Sequence, residues 1–184
     1  MIYLKTALQD AYIIELEPIA DERGFFARSW CKDELESHGL NADLAQCSLS
    51  FNHKKGTLRG MHFQIPPHGE TKLVRVTKGS IFDVIIDLRA QSSTYMKWMG
   101  VELSAYNRNM LYIPNGFAHG FQTLADDTEV FYFISQGFHP EAARGVRWDD
   151  PAFQIIWPKV DHRVISSKDK NWPMFVLGQT PWFM

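Results

Sequence analysis

The sequence predicts an all-β fold of the jelly-roll kind, a β-sandwich or barrel with a few short helices near its two ends. Three observations carry this reading. Short runs with period-two alternation recur along the chain. Gly, Pro, Asn and Asp turns punctuate them at close intervals. Helical patterning is confined to two short stretches near the termini. A double-sheet fold of this kind leaves a central cavity, and polar residues on otherwise apolar strands would face into it.

At 184 residues the chain reads as one domain, 1–184, able to bury roughly 70% of its unfolded surface. Charged residues make up 22% and aromatics 14%, a globular and not a disordered composition. The net charge of -2 argues against a general nucleic-acid binder. Cys31 and Cys47 are too few for a disulfide framework or a Cys-based zinc site, which fits a reduced, cytoplasmic setting. MIYLKTALQD lacks a basic stretch followed by an apolar one, and no apolar run approaches a membrane span. Neither a signal peptide nor a membrane partner is expected.

Taken in order, AYIIELE at residues 11–17 is a short apolar run with strand character. Asp21, Glu22 and Gly24 mark a turn, and Phe25 and Phe26 return to extended structure. Arg23 sits at that turn, where simple solvation would explain it. CKDELESHGL, residues 31–40, is the best short helix, with Gly39 as its stop. In residues 44–53, Gln46, Ser48 and Ser50 alternate with Cys47, Leu49 and Phe51, a strand with small polar groups on one side. Residues 71–88 read as two strands joined at Lys78-Gly79-Ser80, naturally a hairpin. WMGVELS and MLYIP are further strands around a turn at 107–109, and Pro114-Asn115-Gly116 is a strong turn. FAHGFQTLA and TEVFYFIS read as a second hairpin around Asp126 and Asp127. After Pro140 the pattern weakens, until SSKDKNW opens a short helix with Ser166 or Ser167 as its cap and Asp169 in its first turn.

The chain is organised around GTLRGMHFQ, residues 56–64. On a regular strand His62 and Gln64 point one way and Arg59 the other. Gly60 between them makes a bulge plausible, and a bulge would re-aim one of them. A lined cavity and a core histidine bonded to its neighbours both fit this segment.

Four titratable groups recur on apolar strands: His62, Lys72, His119 and Tyr132. Each has an ordinary structural explanation, as a bonded core tyrosine or a snorkelling lysine does. Together they suggest a site with an acid, a base and a cationic stabiliser. No GxSxG, P-loop or GxGxxG is present, so a nucleotide would be held by side chains such as Arg23 and Arg59.

GTLRGMHFQ, KLVRVTKGSIFDVIIDLR, YIPNGFAHGF, EVFY, RGVRWDDP and SKD together resemble the dTDP-4-dehydrorhamnose 3,5-epimerase family, from DERGFF near residue 21 to SKDKNWP near residue 167. The resemblance implies a cupin-like jelly roll and a homodimer, the region around Arg23 being contributed by the partner subunit. It implies epimerisation of a dTDP-4-keto-6-deoxyhexose at carbon 3, carbon 5 or both, without metal, flavin or nicotinamide. By the same resemblance His62 is the base, paired with Asp169. Tyr132 is the acid on the opposite face of the sugar ring, Lys72 lies near the keto oxygen, and His119 is a substrate contact. Arg23, Arg59, Gln46 and Lys168 match positions that hold the nucleotide or its diphosphate.

Some positions depart from the family's pattern. Phe138 stands where a tyrosine stacks on the base, and Ser48 where an asparagine is common. Arg28 and Ala143 replace frequent glutamates, and a residue is inserted before Gly56. These changes lie at the nucleotide end. Two rival readings share the fold. In a metal-dependent cupin oxygenase or isomerase, PNGFAH would be the second ligand motif. The first would need HxH, and here Gln64 takes the place of its second histidine, a poor ligand for iron or zinc. A non-catalytic sugar-binding cupin would explain a pocket but not an acid and a base together.

Overall fold

The computed structural model describes residues 1–176. Its strands are β1 (Ile2–Lys5), β2 (Tyr12–Glu15), β3 (Ile19–Asp21), β4 (Gly24–Phe26), β5 (Gln46–Asn52), β6 (Thr57–Gln64), β7 (Lys72–Lys78), β8 (Ser80–Asp87), β9 (Trp98–Ser104), β10 (Met110–Ile113), β11 (Phe117–Thr123), β12 (Thr128–Ile134), β13 (Ala143–Gly145) and β14 (Val164–Ile165). Two short helices, α1 (Lys32–Ser37) and α2 (Ser167–Lys170), lie in the two stretches with helical patterning. Gly39 ends the first with φ +70°, a conformation glycine adopts at little cost. The side chain of Ser166 caps the second by accepting the Asp169 N–H at 3.1 Å.

The strands form two main sheets. The first runs β1-β2-β10-β7-β12-β5 and the second β13-β6-β11-β8-β9, with β14 added in parallel to β6. From β5 to β8 and again from β9 to β12 the chain passes from one sheet to the other at every connection, which is the jelly-roll winding. β3 and β4 form a separate two-stranded ribbon.

Each sheet buries both faces over much of its width. Between the sheets lie Val74, Val76, Ile81, Ile85, Leu111, Ile113, Phe121 and Val130. The outer face of the second sheet buries Leu58, Met61, Phe63, Val84 and Ile86 under Val146, Phe153, Trp157 and Phe175 from the late segment. The outer face of the first packs Leu73, Met110 and Tyr112 on Leu35 and Leu40 in and beyond α1. This is why β8 is buried on both faces, with Asp83 and Asp87 the charged residues among its buried side chains.

Two expectations are corrected. β7 and β8 do not pair as a hairpin, because β7 is bonded to β10 and β12, and β8 to β11 and β9. Nor do β11 and β12, which lie in opposite sheets. Alternation fixes which face of a strand is buried, and turn residues fix where the chain reverses. Neither distinguishes reversal within a sheet from an arch between sheets. Val76 before the arch and Ile81 after it both face the inter-sheet core, the burial an arch provides. The two arches pack on each other. Leu124 N–H donates to the Ser80 carbonyl at 2.8 Å, and a side chain at Gly79 would strike Thr128.

Candidate active site

β6 and β11 place the histidines. They run antiparallel with His119 opposite His62, but Phe121 lies opposite Arg59, so β6 carries one residue more than β11 over this interval. The bulge expected at Gly60 is therefore present. Gly60 has φ +143°, and a Cβ there would lie 2.5 Å from the Gly120 Cα. Only glycine fits both the dihedral and the approach. The bulge turns Arg59 to the same side as His62, and both line one chamber of about 260 Å³ between the sheets.

Lys72, Tyr132 and Ser48 reach this chamber from the first sheet, and His62, His119 and Arg59 from the second. Tyr132 lies opposite Ser48 in register. A second chamber of about 230 Å³ shares His62 and Lys72 with the first and opens outward past Gln46, Gln64, Glu70, Phe138, Arg144, Lys168 and Trp172. β5 turns its small polar residues toward the site and leaves Leu49 and Phe51 exposed on the outer face.

The charged groups occur as pairs. His62 Nε2 is 2.7 Å from Asp169 Oδ1, and the other carboxylate oxygen accepts the Gly60 N–H at 3.4 Å. Burial alone would push the Asp169 carboxyl up. The hydrogen bond and charge of His62 and the Gly60 amide outweigh it and hold the group below the usual carboxylate range. An ionised carboxylate only accepts, so the contact requires an N–H on His62 Nε2 and leaves Nδ1 as the ring nitrogen turned away from Asp169. His119 Nε2 lies 2.6 Å from Asp83 Oδ1, with both residues buried. Lys72 Nζ is 2.7 Å from Glu70 Oε1. Arg59 Nε donates to Asn52 Oδ1 at 2.8 Å.

Tyr132 differs from these groups. No hydrogen bond among the described residues engages its hydroxyl, and its ring meets His119 edge-on with centroids 6.1 Å apart. Burial pushes its phenol up, the Asp83 charge adds to this, and Arg59 opposes it. The hydroxyl therefore stays protonated well above neutral pH.

Of the residues singled out in the sequence, His62, Lys72, His119, Tyr132, Arg59 and Ser48 converge on the inner chamber, and Gln46, Phe138 and Lys168 on the outer. Asp169 sits behind His62. Lys168 Nζ lies 5.3 Å above the Trp172 ring. Arg23 is not with them. It is exposed at the tip of the β3–β4 ribbon, ion-paired to Asp21. Asp83, Glu70 and Trp172 were not singled out as site residues. Asp83 did carry a signal, a carboxylate flanked by Ile81 and Ile85 on its face of β8, which ends in a second carboxylate at Asp87.

The amide of Gln64 is engaged at both ends. Its amide nitrogen donates to the carbonyls of His68 and Gly137 and to Glu70, and its oxygen accepts the His139 N–H at 2.6 Å. No helix among the described residues is long and apolar enough to cross a membrane.

A family model described as dTDP-4-dehydrorhamnose 3,5-epimerase matches residues 5–176. The chain is 46% identical over 173 residues to the dTDP-4-dehydrorhamnose 3,5-epimerase of Methanothermobacter thermautotrophicus, covering 92% of each chain. It superposes with a TM-score of 0.90 on the Bacillus anthracis enzyme of that name, crystallised with TDP and PPi. That pair is 40% identical, with 95% of this chain and 99% of the other covered. The TM-score is 0.88 with a Legionella pneumophila epimerase in complex with dTDP-4-keto-L-rhamnose, at 35% identity over 94% of this chain and 92% of the other.

Proposed function

The chain belongs to the dTDP-4-dehydrorhamnose 3,5-epimerase family, and from that premise we propose that it epimerises a dTDP-4-keto-6-deoxyhexose at the stereocentres flanking the ketone, in deoxysugar synthesis. The observation that carries this reading is the facing pair. His62, with its carboxylate, comes from one sheet, and a protonated Tyr132 comes from the other, across one chamber.

The chemistry follows from that placement. A ketone at carbon 4 acidifies the protons on carbons 3 and 5. His62 removes one through its free nitrogen, and Asp169 stabilises the imidazolium that results. Charge develops on the ketone oxygen, where the Lys72 ammonium stabilises it. Tyr132 returns a proton from the other face, which inverts the centre. His119, held by Asp83, is a substrate contact beside Tyr132. Ser48 and Arg59 complete the inner chamber. Gln46, Lys168 and Phe138 line the outer chamber for the nucleotide and its diphosphate, with Phe138 offering a stacking face. No step needs a metal or a redox cofactor.

The working unit in this reading is a cytoplasmic homodimer of single-domain chains. Leu49 on the outer face of the first sheet is 56% exposed, and Ile19 and Phe26 on the β3–β4 ribbon are 74% and 75% exposed. Apolar surface of this kind supports a protein contact. The ribbon carries Arg23 away from its own chambers, which supports delivery to the partner's nucleotide. Proton NMR in deuterated water with dTDP-4-keto-6-deoxyglucose tests the function. Deuterium should enter next to the ketone as the sugar inverts, and a substrate spectrum unchanged by active-concentration enzyme would refute the proposal.

A further inference from the structure

Three metal-binding side chains meet at the rim of the outer chamber. His68 lies on the connection from β6 to β7, and His139 and Glu141 on the connection from β12 to β13. One donor atom from each lies within 4.8 Å of the others. Glu141 Oε1 is 3.0 Å from His139 Nδ1 and 4.0 Å from His68 Nε2. The two imidazoles stack with centroids 3.6 Å apart.

The fold, and not the imidazoles alone, holds these connections together. The amide of Gln64, a buried residue of β6, donates to the His68 carbonyl at 3.0 Å and to the Gly137 carbonyl at 3.1 Å. Its oxygen accepts the His139 N–H at 2.6 Å. One buried side chain therefore sets the spacing of both histidine backbones, as a preorganised site requires.

We propose that His68, His139 and Glu141 bind one divalent transition-metal ion of the zinc class. Two imidazoles and one carboxylate suit zinc, nickel or cobalt, and not magnesium or calcium, which take oxygen ligands. Ligand bonds of about 2.1 Å at the tetrahedral angle put donor atoms about 3.4 Å apart. The two separations from Glu141, 3.0 and 4.0 Å, lie on either side of that spacing, and the two imidazole donors are within 4.8 Å of each other. Stacked rings do not aim their lone pairs at one point, so one imidazole turns about its Cβ–Cγ bond on binding. Both side chains are partly exposed, His68 by 30% and His139 by 37%, so the turn takes place at the surface.

The ion joins the connection that carries Glu70, the partner of Lys72, to the one that carries Phe138. It steadies the rim of the outer chamber. None of its ligands lines the inner chamber, and the inference does not depend on the epimerase reading.

Isothermal titration calorimetry of the metal-stripped full chain with zinc chloride tests it without any activity readout. One ion should bind per chain. His68→Ala and His139→Ala should each weaken binding at least tenfold. Glu141→Gln, at an exposed position that leaves the fold intact, should weaken it by a smaller factor. His162→Ala, at an exposed histidine elsewhere, should change nothing, and far-ultraviolet circular dichroism verifies each variant's fold. Absence of zinc binding by the wild-type chain would overturn the proposal. So would unchanged affinity in Glu141→Gln together with the His68→Ala/His139→Ala double variant.

Discussion

Asp169 lies 107 residues from His62 in sequence and 2.7 Å from it in space. That separation shows what single residues reveal in advance. His62, Lys72, His119 and Tyr132 were legible as polar groups on apolar strands. Asp169 became a site residue only through resemblance, because alternation says nothing about which distant loop docks behind a strand. Asp83 and Glu70 are nearer to their partners, on the neighbouring strand β8 and two residues before Lys72, but alternation alone does not say which groups on a shared face pair. If His62 is the base, His62→Ala should lower the turnover rate roughly a hundredfold to ten-thousandfold. Asp169→Asn keeps a polar group of the same shape behind the ring but removes the charge, so its rate should fall between that of His62→Ala and the wild type. Steady-state rates for the two variants measure this, and a wild-type rate in Asp169→Asn would remove the carboxylate from the chemistry. Asp87 shows the same physics away from the site. Burial would push its carboxyl up, but hydrogen bonds from Arg89, Ser92 and Thr94 outweigh it and hold the group below the usual range. A depressed carboxylate contributes stability that is present above its unfolded value of about 3.9 and is lost as pH falls through the folded value. Asp87→Asn should therefore cost roughly 3 kcal/mol at pH 7. Urea unfolding should find that deficit shrinking as the pH falls below about 4.

The elements were easier to read than their pairing. The short helices, the bulge at Gly60 and the strand from β5 all lie where the residue pattern placed them. Two hairpins proved to be arches, since the same glycine and aspartate turns serve both. β5 also inverts the usual sense of amphipathic strands. Its serines face the interior because the interior there is a chamber, and Leu49 and Phe51 face out. The feature the site depends on most is the bulged pairing of β6 with β11, where Gly60 and Gly120 meet. A Cβ at Gly120 would lie 2.6 Å from Met61 Sδ and 2.7 Å from the Arg59 carbonyl. Gly120→Ala should cost about 1–3 kcal/mol through overpacking and should reduce turnover, because the bulge that aims Arg59 and His62 must shift. Gly137→Ala, which meets open space, is the control. Thermal unfolding and steady-state rates for both variants check this, and equal behaviour of the two would mean that the bulged pairing tolerates a side chain.

At the scale of the whole molecule, the sandwich brings the imidazoles and the phenol to opposite walls of one chamber, where the proposed reaction needs its base and its acid. The first sheet supplies Tyr132 and Lys72, and the second supplies His62 and His119. No single strand could flank a sugar ring in this way. The outer surface bears on assembly. Light scattering should find two chains per particle. Arg23→Ala should raise KM while leaving the fold intact, and a fully active monomer at low concentration would contradict the dimer. The facing of the two walls is tested most directly by comparing deuterium exchange with inversion in Tyr132→Phe. That variant loses only a hydroxyl. His62 can still remove a proton and return deuterium to the same side, so exchange next to the ketone should persist while inversion stops. Inversion at the wild-type rate in Tyr132→Phe would show that the proton on the second face comes from elsewhere.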